Sequence, residues 1–383
     1  MIRITHIITG LGTGGAENML YKLLSRLAPD TFLANVISLT DIGPVGEKIR
    51  ALGVPVHALS MQANRPSPLA LGRLISKIRQ DSPHLIQTWM HHANLMGGIA
   101  AKLAGQPPVI WGIRQSNCSW QYNKRSTALI IRIGAPLSSW LPALSICCSE
   151  IARQVHVDLG YAADKMIVIP NGFDTDRFQP DAAARHRIRQ RLGIPDTTVS
   201  IGLVGRFDSQ KDHQTFFQAA ALLHRHFPEV QFLLCGDGIV WENPQLVRWI
   251  EDAGVTDRCH LLGRRDDMPQ VTAALDISAL SSVGEAFPNV VGEAMACGVP
   301  CVVTDVGDAA AIVGKTGISV PPRNPEALAN AWKDLILLGA EERTALGQLA
   351  RARAIEQFSL ESVVAQYEAV YKTAIAQSKP SPI

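Results

Sequence analysis

Residues 281–313 spell SSVGEAFPNVVGEAMACGVPCVVTDVGDAAAIV, and the fold follows from how this stretch punctuates itself. Ile277–Leu280, just before it, is a short apolar run that ends as a strand, and Gly284 and Glu285 fall in the loop beyond. Pro288 suits the first helical position, where a missing N–H costs nothing. The helix predicted over Val290–Cys297 stops at Gly298, and Pro300 keeps it from resuming. Val302 and Val303 then begin another buried strand. That geometry leaves the backbone N–H groups of Asn289 to Val291 open at a helix start, which suits a phosphate. Glu285 precedes this start and Glu293 lies a turn inside it. Carboxylates flanking an anion site would repel the anion as ligands, so they are better placed to accept hydrogen bonds from hydroxyls on either side of it, as in a sugar and a ribose. Two bare glutamates on a surface helix are ordinarily solvated acids; the helix start between them favours the nucleotide-sugar reading.

Working outward, the same alternation recurs. Ile2–Ile8 is a β-branched strand, and the glycine-rich loop Gly10–Gly15 opens a helix whose apolar positions are Met19, Leu20, Leu23, Leu24 and Leu27. Strands follow at Ala34–Leu39, Leu85–Thr88, Val109–Ile113, Ser145–Cys148 and Ile167–Ile169. Pro170-Asn171-Gly172 marks a turn, and Arg177–Pro195 is a polar, helix-prone connector in which the hinge is expected. The second half repeats the pattern, with strands at Val199–Val204, Gln231–Cys235, His260–Leu262, Ile277–Leu280 and Pro300–Val303. Its helices are predicted over Thr215–His226, Pro244–Asp252 and Pro325–Leu338. Two doubly wound α/β domains result, 1–175 and 176–357. An amphipathic tail follows within 358–383, and Ser378–Ile383 is expected to fray. No tandem repeat appears beyond the shared strand–helix unit.

Composition sets bounds. A chain of 383 residues with 47% apolar and 18% charged content is a folded, two-domain protein. The seven cysteines form no C-x2-C zinc pattern and lie in apolar surroundings, which fits reduced thiols and a cytoplasmic location. The opening MIRITHIITG is a first strand rather than a signal peptide. The nearest thing to a membrane span, Ala128–Cys148, is broken by Arg132, Pro136 and Pro142. Residues 1–170 carry 16 Lys and Arg against 8 Asp and Glu, a net of +8, whereas residues 171–383 carry −6. A basic first half points to an anionic partner, and lipid phosphate suits it better than nucleic acid because no basic run has interleaved aromatics.

The segment GEAFPNVVGEAMACGVPCV, with its E-x7-E, resembles the donor site of the retaining GT4 glycosyltransferases of the two-domain GT-B fold. Further matches come in that family's order: GTGGAE at 12–17, VIPNGFD at 168–174, LVGRFDSQKDH at 203–213, CGDG at 235–238, LLGR at 261–264 and GISVPPRNPEALA at 317–329. The resemblance implies two Rossmann-like domains facing across a cleft, with the tail returning to the first. It also implies glycosyl transfer from a nucleotide-diphosphate sugar, a UDP-sugar being favoured, to a glycan or lipid-linked acceptor in cell-surface polysaccharide synthesis. No metal and no tightly bound cofactor are expected.

Arg206 and Lys211 leave the strand IGLVG together, an Arg fork and a Lys point charge suited to a diphosphate and to the charge that grows on it. The alternative for either is a solvated surface charge. Gly14 and Gly15 are expected to close over the diphosphate, Leu262 and Arg264 to read the base, and Phe287, Pro288, Asn289 and Val290 to shape the donor pocket between Glu285 and Glu293. Gly236-Asp237-Gly238 fits a supporting turn. Where relatives carry a histidine after a strand of the first domain, this chain has Trp111-Gly112-Ile113-Arg114-Gln115-Ser116, so Arg114 or Gln115 takes that place. His91 and His92 are another candidate pair, and His92, Arg114 and Asn171 are the candidate sugar or acceptor contacts. The resemblance favours front-face displacement, with the departing diphosphate oxygen taking the acceptor's proton. Alone, the G-x-G-x-x-G at 10–15 with Asp41 after the next strand would describe an NAD-dependent oxidoreductase. A nucleotide-sugar epimerase, a phosphorylase and a non-catalytic binding subunit stay open. Ala128–Cys148, with Lys124, Arg125 and Arg132, is either a buried helix with a basic flank or a peripheral membrane contact at the inner face.

Overall fold

A computed structural model describes residues 1–61, 68–105, 107–116, 118 and 125–378. Lys124 and residues 379–383 of the tail lie outside these. The chain divides into two compact units, one holding Met1–Gly172 with the C-terminal helix Leu360–Ser378, the other Phe173–Ser359.

In the first unit, strands β1 (Ile2–Ile8), β2 (Phe32–Ser38), β3 (Val56–Ala58), β4 (Leu85–Trp89), β5 (Val109–Ile113), β6 (Leu144–Cys147) and β7 (Met166–Val168) form one sheet. All are parallel, in the order β3-β2-β1-β4-β5-β6-β7. Helix Gly15–Arg26 has Gly14 at its N-cap with no side-chain cap, a loss of roughly a few tenths of a kcal/mol against Ser or Asp. Burial of Leu20 and Leu23, each below 1% exposed, is worth about 1.5–3 kcal/mol apiece and outweighs it. These leucines share a core with Ile4, Ile8 and Val36 and with Val363, Tyr367 and Tyr371 of helix Leu360–Ser378.

The second unit has β8 (Ser200–Val204), β9 (Gln231–Cys235), β10 (Cys259–Leu261), β11 (Ile277–Leu280), β12 (Cys301–Thr304) and β13 (Ile318–Val320). These are also all parallel, ordered β10-β9-β8-β11-β12-β13. Its core centres on Phe216, Phe232 and Trp332. The expected strands stand within a residue or two of their predicted ends. Two that sequence did not signal, β3 and β13, are three-residue edge strands.

The connector expected at 177–195 is helical over part of its length. Within 177–195 lies helix Ala182–Leu192, capped by Asp181, whose side chain accepts from the Ala184 amide, and stopped at Gly193 with φ +70°. It belongs to the second unit, and its Ile188 packs with Val271 and Ala274. Arg189 is fully buried. Its fork donates to Asp276 Oδ2 at 3.0 Å, Ser200 Oγ at 3.1 Å and the Pro195 carbonyl at 2.6 Å. Asp276 also accepts from the Ser200 amide at 2.8 Å, so the pair pins this helix to the start of β8. An arginine reads as solvated in sequence because its partners, here up to 87 residues away, are invisible there. Arg189→Ala removes one of two guanidinium partners of Asp276, Arg185 keeping the other at 2.8 Å, and should lower unfolding stability by about 1–3 kcal/mol; urea denaturation checks this.

Candidate active site

In each sheet the strand order reverses beside the unit's first strand, β1 or β8, and loops leaving such a point diverge to form a crevice at the carboxyl edge. The β8 exit carries Gly205, Arg206 and, through a short 3-10 turn, Lys211. The β11 exit carries Ser281 to Glu285. Because β8 and β11 are hydrogen-bonded neighbours, residues 74 positions apart meet: Lys211 Nζ lies 2.5 Å from Glu285 Oε1. Ser282 Oγ donates to the same oxygen at 2.8 Å. The loops are stitched further by Ser281 Oγ to the Lys211 carbonyl and by the Val283 amide to the Gln210 carbonyl, both at 2.8 Å. Lys211 and Glu285 are mostly buried, so solvent screens their attraction little.

Arg206 is placed differently. Its side chain is 64% exposed, with Nε 3.0 Å from Asp208 Oδ2. Asp208 in turn caps the turn by accepting from the Gln210 amide. Past Lys211, Asp212 has φ +46°, a left-handed conformation uncommon for a non-glycine residue, and caps helix His213–His224 through Thr215. His213, which sequence did not single out, is buried beside this turn. Burial first, then the Lys211 charge, pushes its pKa down to about 4. A neutral imidazole therefore stands behind the ammonium.

Helix Asn289–Ala296 begins one residue earlier than predicted, with Pro288 as its N-cap. The Val291 amide donates to the Pro288 carbonyl at 3.2 Å, so this amide of the expected run at 289–291 is engaged within the turn. Phe287 and Phe173 stack with ring centroids 5.9 Å apart, and Phe358 closes the cluster edge-on. Phe173 also lies against Gly292, where an added Cβ would fall 1.9 Å from its ring. Glu293 is on the same helix, one residue past that contact. Gly307, at φ +56°, leaves room for the Glu285 carbonyl, 2.5 Å from where its Cβ would be. Gly236 does the same for the Gly205 carbonyl at 2.0 Å, and the Phe207 amide donates to the Asp237 carbonyl at 2.7 Å. The 236–238 turn thus buttresses the Arg206 loop. Leu262 and Arg264 lie two strands away, after edge strand β10, and Arg264 is exposed. The structure does not bring them to the Lys211–Glu285 pair.

In the first unit Gly14 is the N-cap of helix Gly15–Arg26, and the Glu17 carboxylate folds over it, 2.3 Å from a would-be Cβ. Burial raises the Glu17 pKa. Asp41 is exposed and accepts from Thr40 Oγ1 at 3.2 Å. Arg114 and Asn171, separate candidates in sequence, are joined: the guanidinium donates to Asn171 Oδ1, to Tyr367 Oη at 3.1 Å, and sits 5.3 Å from the Trp89 ring centre. His92 stands apart, half-buried at the start of helix His91–Ala104, and His91 stacks on His156 at 5.2 Å. Asp174-Thr175-Asp176 is an Asp-x-Asp triplet, but Asp174 Oδ1 closes a turn onto the Arg177 amide at 3.0 Å. Among the described residues no group of three or more His, Cys, Asp or Glu is arranged to hold a metal ion. All seven cysteines are free thiols.

Two doubly wound units, each with its strand-order switch beside a glycine-bearing loop, define the GT-B class of glycosyltransferase. The chain belongs to the group 1, or family 4, glycosyltransferases: residues 13–177 match the model of Glycosyltransferase Family 4 and residues 198–337 that of Glycosyl transferases group 1. It is an enzyme, a transferase. A UDP-Gal:alpha-D-GlcNAc-diphosphoundecaprenol alpha-1,3-galactosyltransferase of Escherichia coli is 26% identical over 80% of each chain. A D-inositol 3-phosphate glycosyltransferase of Corynebacterium jeikeium is 36% identical over 52% of this chain and 51% of its own. Among solved structures, Anabaena HepE in complex with UDP superposes with a TM-score of 0.85 at 24% identity, covering 97% of this chain and all of that one.

Two outcomes follow. Gly292→Ala should cost about 1–3 kcal/mol by forcing the Phe173 ring aside, measured by thermal melting. Burial also holds the His156 pKa down at about 4, against an ordinary 6.5. The unfolded chain then takes up a proton that the folded one refuses, so stability is full above pH 6.5 and is lost as pH falls towards 4. Denaturant midpoints between about pH 7.5 and pH 5 should fall, and His156→Gln should flatten the slope by up to about 1.4 kcal/mol per pH unit.

Proposed function

We propose that this glycosyltransferase takes its sugar from a nucleotide-diphosphate sugar, a UDP-sugar being favoured, and transfers it with retention to a glycan or lipid-linked acceptor in cell-surface polysaccharide synthesis. The observation that carries the donor assignment is the Lys211–Glu285 pair at the β8/β11 switch, next to the start of helix Asn289–Ala296. The E. coli relative, a galactosyltransferase named for a UDP-Gal donor and a diphosphoundecaprenol-linked acceptor, supports both the base and the lipid-linked acceptor. A cytoplasmic location, peripheral to a membrane, goes with such an acceptor.

In this reading the diphosphate lies against Lys211 and the amides at Asn289 and Val290, and the exposed Arg206 swings from Asp208 to meet it. Glu285 shares Lys211 with the diphosphate and accepts from a sugar hydroxyl. Glu293 accepts from the ribose. Phe287 and Pro288 shape the loop between them, and Leu262 with Arg264 borders the base. In the first unit, His92 and the Arg114–Asn171 pair are assigned to the sugar or acceptor. The bond between the anomeric carbon and the diphosphate oxygen breaks while the acceptor oxygen bonds to that carbon from the same face. The acceptor's proton passes to the departing phosphate oxygen. Charge then accumulates on the diphosphate, where the two cations and the helix amides stabilise it. We assign this task to the cations rather than to a divalent ion.

A thermal-shift screen of UDP-, GDP- and ADP-sugars, followed by slow donor hydrolysis, tests the reading. The cognate donor at a hundred times its Kd should stabilise by about 2.7 kcal/mol. Glu293→Ala should weaken nucleotide binding by roughly tenfold or more, and Lys211→Ala or Arg206→Ala should chiefly reduce turnover, Lys211→Ala by about 100- to 1000-fold. Unchanged kinetics in all three variants, or stabilisation by NAD(H) and by no nucleotide-sugar, would contradict the assignment.

A further inference from the structure

Arg114 is the first residue past β5, at the carboxyl edge of the first unit's sheet, and two glycines bring its partners to it. A Cβ on Gly112 would lie 2.6 Å from the Thr88 carbonyl, so β5 closes on β4 just where Arg114 lies over Trp89, the last residue of β4. A Cβ on Gly172 would lie 2.9 Å from Leu360 Cα, so the turn carrying Asn171 presses on the start of helix Leu360–Ser378. The half-buried guanidinium therefore meets three neutral groups. Nη2 donates to Asn171 Oδ1, Nη1 donates to Tyr367 Oη at 3.1 Å, and the Trp89 ring centre is 5.3 Å away. Trp89 is itself fixed, stacked on Tyr367 at 6.2 Å and donating Nε1 to His6 Nδ1 at 3.2 Å. Among the described residues no carboxylate is paired with Arg114: Glu361 goes to Arg26 at 3.5 Å, Glu368 to the Ala28 amide at 3.0 Å, and Glu150 to Arg153 at 3.7 Å. Residues 82–149 contain neither Asp nor Glu.

We propose that Arg114, held by Asn171, Tyr367 and Trp89, is an anion site of the first unit that takes a phosphate carried by the acceptor. Neutral hydrogen-bond acceptors and an aromatic face orient a guanidinium but leave its charge unbalanced, and a half-buried charge costs desolvation that an opposite charge repays. A clamp on the tail helix needs donors and no charge, and a glutamine would supply them. Two of the five N–H groups are engaged, which leaves three in a planar fork matched to phosphate oxygens. Surroundings without acids favour the more highly charged phosphate over a carboxylate. Tyr367 acts through Arg114 and is a positioning residue, so helix Leu360–Ser378 serves the acceptor side as well as bracing the sheet. The proposal rests on the functional reading for the existence of an acceptor and narrows it to one bearing a phosphate. Nucleotide binding tests that reading; phosphate binding to the nucleotide-saturated enzyme tests this one, so the two failures are distinguishable.

Titration calorimetry on the full chain, saturated with UDP so that the donor's diphosphate site is filled, tests it. Geranyl diphosphate and glucose 1-phosphate are the phosphate probes, one lipid-borne and one soluble; geraniol and glucuronate are the neutral and carboxylate controls. A phosphate probe should bind and the controls should not, and whichever probe binds more tightly identifies the source of the phosphate. Arg114→Gln should weaken that binding by about 10- to 100-fold. Arg114→Lys keeps the charge without the fork and should recover only part of it. Tyr367→Phe should weaken it by about 2- to 10-fold. UDP affinity should stay the same in all three variants, which a damaged fold would not allow. The proposal is overturned if neither phosphate probe binds the wild-type chain, or if geraniol or glucuronate binds as tightly. It is overturned equally by undiminished probe binding to Arg114→Gln, or by a parallel loss of UDP affinity at unchanged melting temperature, which would put Arg114 at the donor.

Discussion

Strand β8 bonds to β9 on one side and β11 on the other, and everything at the site descends from that reversal of strand order. Connections on one side of a doubly wound sheet leave over one face, those on the other side over the opposite face, so the two exits part and leave a crevice. Lys211 and Glu285 are carried into it from two loops whose floors are neighbouring strands. Their proximity comes from hydrogen bonds between backbones, with the side chains added afterwards.

A mostly buried ion pair does little for stability, because desolvation offsets the attraction. The Lys211–Glu285 pair is therefore better understood as poised charge. Ser282 holds the carboxylate, the Ser281 hydroxyl holds the backbone of Lys211, and a neutral His213 adds no competing cation. The left-handed Asp212 is local strain accepted next to that lysine, offset by capping the following helix.

Close packing around these loops needs missing side chains. Gly236 and Gly307 let the β9 and β12 exits press against the carbonyls of Gly205 and Glu285, and Gly292 lets Phe173 lie flat on the helix that bears Glu293. Phe173 belongs to the segment VIPNGFD and Phe287 to the E-x7-E loop; their stacking supports the helix start from below with no polar group involved. The first unit uses the same device differently. Gly14 makes room for the Glu17 carboxylate, which folds back over the start of its own helix.

What the chain reveals before folding follows from short-range physics. Apolar runs bounded by glycine and proline announced β1, β5, β9 and β11 to the residue, because buried parallel strands are continuous hydrophobic stretches. The helix stop at Gly298 was equally plain from its left-handed tolerance. The resemblance of GEAFPNVVGEAMACGVPCV and its companions named the family. Partners across long separations were not legible: Arg189 lay unremarked in a polar connector until Asp276 was placed beside it, and Arg114 and Asn171 looked independent until the guanidinium reached the Asn171 side chain. Sequence by itself determined which segments are strands and helices, since periodicity and turn chemistry act within a few residues. Tertiary structure alone decided which charges are paired and which apolar side chains stay in water, because both depend on what strand order brings within a few ångströms.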